Sequence, residues 1–391
     1  MNLLISTGEV SGDLQGSLLV KALLKEANKR NLKLNIYALG GLRMKEAGAN
    51  LIADTSKIGS IGLFEAIPLI IPTLRIQSRV NECIRKTKFD AIVLIDYMGP
   101  NIRLGNKLRK KFPSLPIIYY IAPQEWAWSL GDGGTTDLIG FSDKILAIFK
   151  AEADFYSNKG GNVLWVGHPM VDTLTTLPTK ENALNYLGIA QNRKVVLLFP
   201  ASRSQELKYL MPTLAKAAAM MQKLDSSIIF IVPAGLPSFK KPLEEILEKE
   251  GVEGIVFHSA DIDRLKPFLF AASDLAIAKS GTINMELALH NVPQIVGYKV
   301  GRLTALVAKK ILKFSVKHIS PVNLLLGKRL VPELVQSEFN PTSVLKLAMS
   351  YLNSEGKRLE MIYGYDQLRE DLGGTGVTER ASIEILNSVK N

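Results

Sequence analysis

Three times this chain runs a short apolar segment into a turn rich in glycine and hydroxyl residues, and then into apolar residues at helical spacing. Asn2-Leu-Leu-Ile-Ser-Thr leads to Gly8-Glu-Val-Ser-Gly-Asp13, followed by Leu14, Leu18, Leu19 and Ala22. Lys194-Val-Val-Leu-Leu-Phe leads to Pro200-Ala-Ser-Arg-Ser-Gln-Glu206 and a long amphipathic stretch to about Leu224. Leu275 to Ala278 leads to Ser280-Gly-Thr282, with Ile283, Leu287 and Leu289 beyond. A buried strand turning directly into a helix is the unit of a doubly wound parallel sheet. Further short apolar runs predict strands at Leu34–Ala38, Ala91–Met98, Ile117–Ile121, Lys144–Phe149, Val163–Val166, Ile228–Val232, Gly254–His258 and Pro293–Tyr298. The alternation begins afresh after the polar segment Thr173–Lys180, so the pattern predicts two doubly wound α/β domains facing each other across a cleft.

Length and composition agree: 391 residues, 47% hydrophobic and 22% charged, suit an ordinary globular protein with large cores. The 48 Lys and Arg against 37 Asp and Glu leave a net charge of +11, spread along the chain. That excess favours an anionic membrane surface or a phosphorylated ligand. Nucleic acid is the least favoured partner, because no basic arm, zinc spacing or RNA-binding signature accompanies the charge. One cysteine, Cys83, excludes an internal disulfide and fits a reducing cytoplasm. The apolar start lacks a basic leader, and no run reaches the roughly 20 apolar residues of a membrane span. The expectation is a soluble or peripheral protein.

The turns carry the candidate chemistry. Open α/β sheets bind ligands at the carboxyl ends of their strands. Glu9 and Asp96 both stand there; Ser11 and Asp13 read equally as helix caps. The first turn is neither a Walker loop nor a GxGxxG fingerprint. Arg203 offers a permanently charged planar fork to a phosphate. Ser280-Gly-Thr282 would present backbone N–H groups and a helix dipole to a diphosphate, with Glu286 one turn on to meet a ribose; an ordinary cap gives the same pattern. Trp126 and Trp128 read as an acceptor wall or a satellite hydrophobic cluster. Residues 58–74, including Leu63, Phe64 and Ile70, read as a core helix or as an apolar patch that, with Arg75, Arg79 and Arg85 beside it, meets lipid.

Taken together, Gly8-Glu-Val-Ser-Gly-Asp13, Ile95-Asp96, Trp126-Ala-Trp128, Gly167-His168, Ser202-Arg203, Ser280-Gly-Thr282 with Glu286, and Asn323-Leu-Leu-Leu-Gly327 occur in the order seen in lipid-A-disaccharide synthases. The chain resembles that family from residue 3 to about residue 385. The resemblance implies a GT-B fold and an inverting glycosyl transfer that uses neither metal nor cofactor. It joins UDP-2,3-diacylglucosamine to 2,3-diacylglucosamine 1-phosphate through a β-1,6 linkage and releases UDP. It also implies a cytoplasmic protein held peripherally on the anionic inner-membrane surface, a homodimer entwined through C-terminal parts, and lipid contact by Leu63, Phe64 and Ile70. Carried onto this sequence, Ser202, Arg203, Ser280, Gly281, Thr282, Glu286 and Asn323 would hold the donor. Glu9, Ser11, Asp13, Asp96, Trp126 and Trp128 would face the acceptor, with Asp96, Glu9 and Arg203 acting in catalysis. The domains would run 1–172 and 181–354, with the C-terminal segment 355–391 packed back on the first.

Three departures separate this chain from many relatives. Tyr97-Met-Gly-Pro-Asn101 stands where Ala-Pro-Asp-Phe-Asn is common, so a second carboxylate is missing. Ser129 and a glycine-rich loop replace a basic segment, and Ala201 replaces a glycine. Those changes leave two competing readings: another GT-B enzyme on UDP-N-acetylglucosamine (an epimerase or a different lipid glycosyltransferase), and a UDP-sugar or lipid-binding homologue without turnover.

Overall fold

A computed structural model describes residues 1–55, 70–125, 133–174, 176–301 and 318–389. The chain divides into two compact units, Met1–Thr173 with Asp371–Asn391, and Leu174–Glu370.

The first unit carries β1 (Asn2–Ser6), β2 (Asn35–Gly40), β3 (Asn50–Asp54), β4 (Ala91–Ile95), β5 (Ile117–Tyr120), β6 (Lys144–Ala147) and β7 (Val163–Trp165). They pair in parallel in the order β3-β2-β1-β4-β5-β6-β7. The central strands β1, β4 and β5 are buried from end to end or nearly so, which is why they read as continuous apolar runs. Helices α1 (Glu9–Lys29), α2 (Leu42–Glu46), α3 (Ile70–Lys86), α4 (Met98–Lys111), α5 (Gly133–Phe141) and α6 (Lys150–Asn158) connect them.

The second unit has β8 (Lys194–Phe199), β9 (Ile228–Pro233), β10 (Gly254–Phe257), β11 (Leu275–Lys279), β12 (Gln294–Tyr298) and β13 (Glu333–Val335). Its sheet is parallel, in the order β10-β9-β8-β11-β12-β13. The helices are α7 (Lys180–Leu187), α8 (Ser204–Leu224), α9 (Lys240–Glu250), α10 (Ser259–Ala272), α11 (Thr282–Leu289), α12 (Pro321–Leu326), α13 (Pro341–Leu352) and α14 (Glu355–Leu372). Hydrophobic cores form on both sheet faces: one centred on Leu214, Phe230 and Phe339, the other on Leu269, Phe270 and Leu287.

Two strands escaped the sequence reading, β3 and β13. Both are short edge strands with only partial burial, so neither leaves a long apolar run. The C-terminal segment also differs from expectation. Helix α14 stays on the second unit: its Met361, Tyr365 and Leu368 are buried, Gln294 donates its backbone N–H to Met361 Sδ (3.2 Å), and Tyr365 donates to the Val292 carbonyl (3.2 Å). The return to the first unit begins at Asp371 rather than 355. There Asp172 accepts the backbone N–H groups of Gly376, Val377 and Thr378, the start of α15 (Val377–Ser388). Glu379 and Glu384 of α15 then pair with Lys29 and Lys144 at 2.5 and 2.7 Å. Among the described residues no helix is long and apolar enough to cross a membrane.

Candidate functional site

Each sheet reverses its direction of winding once, between β1 and β4 in the first unit and between β8 and β11 in the second. At such a switch point the connections leave the strand ends on opposite faces and open a crevice, the usual ligand site of this architecture. The sequence-predicted turns fall at these two places.

In the first unit, Asn101 ties the two strand ends together. Its amide donates to the carbonyls of Ser6, Ile95 and Asp96 (3.2, 3.0 and 2.8 Å), and its oxygen accepts the Ser6 hydroxyl (2.7 Å). Asn101 is fully buried, so this side chain fixes the crevice floor. Directly above, Asp96 and Tyr97 both adopt left-handed backbone conformations, with φ of 46° and 54°. Two such residues in succession store strain that the surrounding bonds must hold. The Asp96 carbonyl accepts from Tyr119 (2.7 Å), and its N–H donates to the Ile121 carbonyl (3.1 Å). Asp96 is exposed, so its carboxylate is presented at the carboxyl end of β4. The Tyr97 ring covers Gly8: a β-carbon there would lie 2.5 Å from the ring. Thus the Tyr97 ring is accommodated by a glycine across the switch point.

The remaining first-unit candidates separate. Glu9 opens α1, and Ser11 is exposed within its first turn. Asp13 is engaged within the fold: its buried carboxylate accepts the N–H groups of Gly41, Arg43 and Met44 (2.7, 3.1 and 3.1 Å), capping α2. Ile70 opens α3, while Leu63, Phe64, Trp126 and Trp128 lie outside the described residues. Two buried titratable groups line the neighbouring strand ends. Glu152 accepts N–H bonds from Ala122, Ile148 and Phe149, and burial pushes its carboxyl up to about 8 against the pull of those donors. His168 is held neutral, because burial lowers its imidazole to about 4.

In the second unit, Ala278 pairs with Phe199, so the turns after β8 and β11 leave the sheet side by side. Ser202 and Arg203 are exposed at the start of α8. Glu206 organises that turn: one oxygen accepts Ser202 N, Ser202 Oγ and Arg203 N (2.7, 3.1 and 3.2 Å), and the other meets Lys279 Nζ at 3.1 Å. Ala201 packs its methyl against the core beneath the turn, and Gly235 of the next loop approaches its carbonyl so closely that a β-carbon would lie 2.7 Å away. In the neighbouring turn Gly281 donates its N–H to Asn284 (2.9 Å), which leaves Thr282 and Ile283 to supply the helix N-terminal donors. Ser280 Oγ donates to the Ile319 carbonyl (2.5 Å). Glu286 is paired with Lys266 of α10 at 2.7 Å.

Asn323 does not point at this crevice as a free ligand. Fully buried, it donates to the Val331 carbonyl and Glu333 and accepts from Leu330 N and Val331 N, all between 2.7 and 2.9 Å. With Glu333, which also accepts Ile319 N and Ser320 N, it fixes the segment on which Ser280 docks. Sequence reading missed Glu206, Lys279 and Glu333 as organisers. Glu206 had a legible signal, a glutamate three residues after the N-cap, which is the capping-box spacing. The other two had none, because their partners are distant in sequence.

The comparisons with known proteins agree with this architecture. A family model described as lipid-A-disaccharide synthetase matches residues 3–383. A lipid-A-disaccharide synthase from Prochlorococcus marinus (strain MIT 9313) is 58% identical over 390 residues, covering all of both chains. Among solved structures, a Neisseria meningitidis UDP-GlcNAc 2-epimerase bound to UDP-GlcNAc superposes with a TM-score of 0.63 at 12% identity, covering 99% of this chain and 100% of its own. A glycosyltransferase involved in lipopolysaccharide biosynthesis gives a TM-score of 0.53 at 13% identity, covering 98% and 99%. At such low identity these structures speak to the fold alone, and the fold is GT-B.

Proposed function

The chain belongs to the lipid-A-disaccharide synthase family, and is therefore a GT-B glycosyltransferase of lipid A biosynthesis; from that premise we propose that it transfers 2,3-diacylglucosamine from its UDP derivative to 2,3-diacylglucosamine 1-phosphate. The second unit holds the UDP-sugar and the first presents the acceptor. The carrying observation is the pair of adjoining turns at the β8/β11 switch point, where an exposed Arg203 and the N–H groups opening α11 offer positive charge side by side.

The transfer inverts the anomeric carbon. The acceptor 6-hydroxyl attacks C1 of the donor sugar, its proton passes to Asp96, and the bond from C1 to the β-phosphate oxygen breaks. A β-1,6 disaccharide 1-phosphate forms and UDP leaves. Arg203, Ser202, Ser280, Gly281 and Thr282 carry the charge that develops on the leaving diphosphate, with no metal required. Glu286 would reach the donor ribose after parting from Lys266. Glu9, Ser11, Trp126 and Trp128 contact the acceptor. Asp13 belongs to the acceptor side and Asn323 to the donor side, and their hydrogen bonds to Gly41 N and Leu330 N favour support from beneath over direct contact. Leu63, Phe64 and Ile70 insert into the anionic inner-membrane surface, and the protein works there as a peripheral homodimer.

The test is UDP release from UDP-2,3-diacylglucosamine in detergent, with and without the acceptor, beside a UDP-N-acetylglucosamine control. Acceptor-dependent release together with a disaccharide 1-phosphate is the expected result. Turnover of UDP-N-acetylglucosamine alone would make the protein an epimerase-like enzyme, and UDP binding without any turnover would make it a binding homologue. For the membrane contact, serine at Leu63, Phe64 and Ile70 should release the folded protein from anionic vesicles; retained binding would assign those side chains to the core.

A further inference from the structure

We propose that Lys279 is a second anchoring cation for the donor diphosphate, held beside the Arg203 turn by Glu206. The inference rests on the donor-site reading of the second unit and assigns one more residue to it. Lys279 ends β11 and leaves the sheet next to Pro200, because the preceding pair is Ala278 with Phe199. Its ammonium therefore borders both turns. It lies 3.1 Å from Glu206 Oε1, and a β-carbon added at Gly281 would come within 3.3 Å of the same nitrogen. The side chain is 19% exposed, so its charge is partly sheltered from solvent and reaches an incoming anion with less screening than a surface lysine. An ammonium has three N–H donors, and Glu206 takes one.

A purely structural ion pair is the competing account. Glu206 does not need Lys279 to hold its place, because its other oxygen already accepts three bonds from Ser202 and Arg203 at the cap of α8. The arrangement instead positions the ammonium. Arg203 is exposed at the start of α8, so it is the more solvated cation of the two. Lys279 is a fixed one on the next strand. A diphosphate spanning the two turns would meet both, and the fixed cation would choose diphosphate esters over uncharged nucleosides.

The experiment uses the full chain with Lys279→Met, Lys279→Arg and Glu206→Gln. Binding of UDP and of uridine is measured by calorimetry, alongside donor and acceptor KM. Loss of a charge-assisted hydrogen bond predicts that Lys279→Met weakens UDP by roughly ten- to a hundred-fold. Uridine binding and acceptor KM should not change, donor KM should rise, and Lys279→Arg should recover most of the loss. Glutamine at 206 can still cap the helix but loses the ion pair that positions the ammonium, so UDP should weaken by less than in Lys279→Met, with uridine binding unchanged. The inference is overturned by UDP binding that is indifferent to Lys279→Met, by equal loss of UDP and uridine, or by Lys279→Arg recovering none of the loss. If the unaltered protein binds no UDP, the donor-site reading itself fails and takes this inference with it.

Discussion

The two switch points share a topology but are finished in opposite ways. In the first unit the crevice floor is locked by neutral hydrogen bonds: Asn101 bridges β1 and β4, and Asp96 and Tyr97 are held in left-handed conformations over Gly8. In the second unit the corresponding place is finished with charge, through Glu206, Lys279 and the exposed Arg203. A rigid neutral floor suits a single carboxylate that must meet one hydroxyl at one angle. A charged, hydrogen-bond-rich rim suits an anionic leaving group whose charge grows during the reaction. Under the proposed function the contrast separates a positioning role from an electrostatic one, and each should be open to disturbance without the other.

The largest separation should come from Asp96→Asn. If Asp96 takes the acceptor proton, turnover should fall about 10²–10⁴-fold while UDP affinity stays near its original value. Single-turnover rates beside UDP titration would show this; unchanged turnover would end the base assignment. Asn101→Ala tests the lock itself. It orphans the buried Ser6 hydroxyl and the strand-end carbonyls, a loss of about 2–3 kcal/mol in stability of the first unit. In the surviving folded fraction turnover should fall with UDP binding preserved. Arg203→Ala should do the reverse, weakening UDP by roughly ten-fold and steepening the donor dependence, with the acceptor response intact. An unaltered donor response would remove Arg203 from the site.

That division also explains what could be read in the sequence. The central strands announced themselves as apolar runs, because parallel strands covered on both faces carry no polar alternation. The catalytic-type turns announced themselves by glycine and hydroxyl residues. What remained hidden was which polar residue faces the crevice and which holds it up. Asp13 and Asn323 share residue type and motif membership with ligand contacts, yet their bonds run to Gly41 and Arg43, and to Leu330 and Glu333. Those partners are set by three-dimensional packing of loops, for which the sequence has no periodicity. Lys279 shows the converse: it looked like the end of a buried strand, and only its distance to Glu206 marks it as part of the rim.

The smallest effect, and the finest check on the contrast, concerns His168. It sits in the first unit with Nδ1 accepting the Met170 N–H at 3.2 Å and its ring 5.1 Å from that of Phe149. Burial lowers its imidazole from the usual 6.5 to about 4, so the folded protein keeps it neutral where the unfolded chain would protonate it. The unfolded state then binds more protons between pH 6.5 and about 4, and stability is lost as pH falls through that window. One pH unit below 6.5 should remove about 1 kcal/mol from the first unit. Asn at 168 can accept the same N–H without titrating, so His168→Asn should flatten that part of the stability curve. Denaturant midpoints of the two proteins at pH 7 and 5.5, compared as a difference, cancel the shared carboxylates. Parallel curves would mean that His168 protonates as readily in the fold as in the unfolded chain, so that burial does not keep its imidazole neutral.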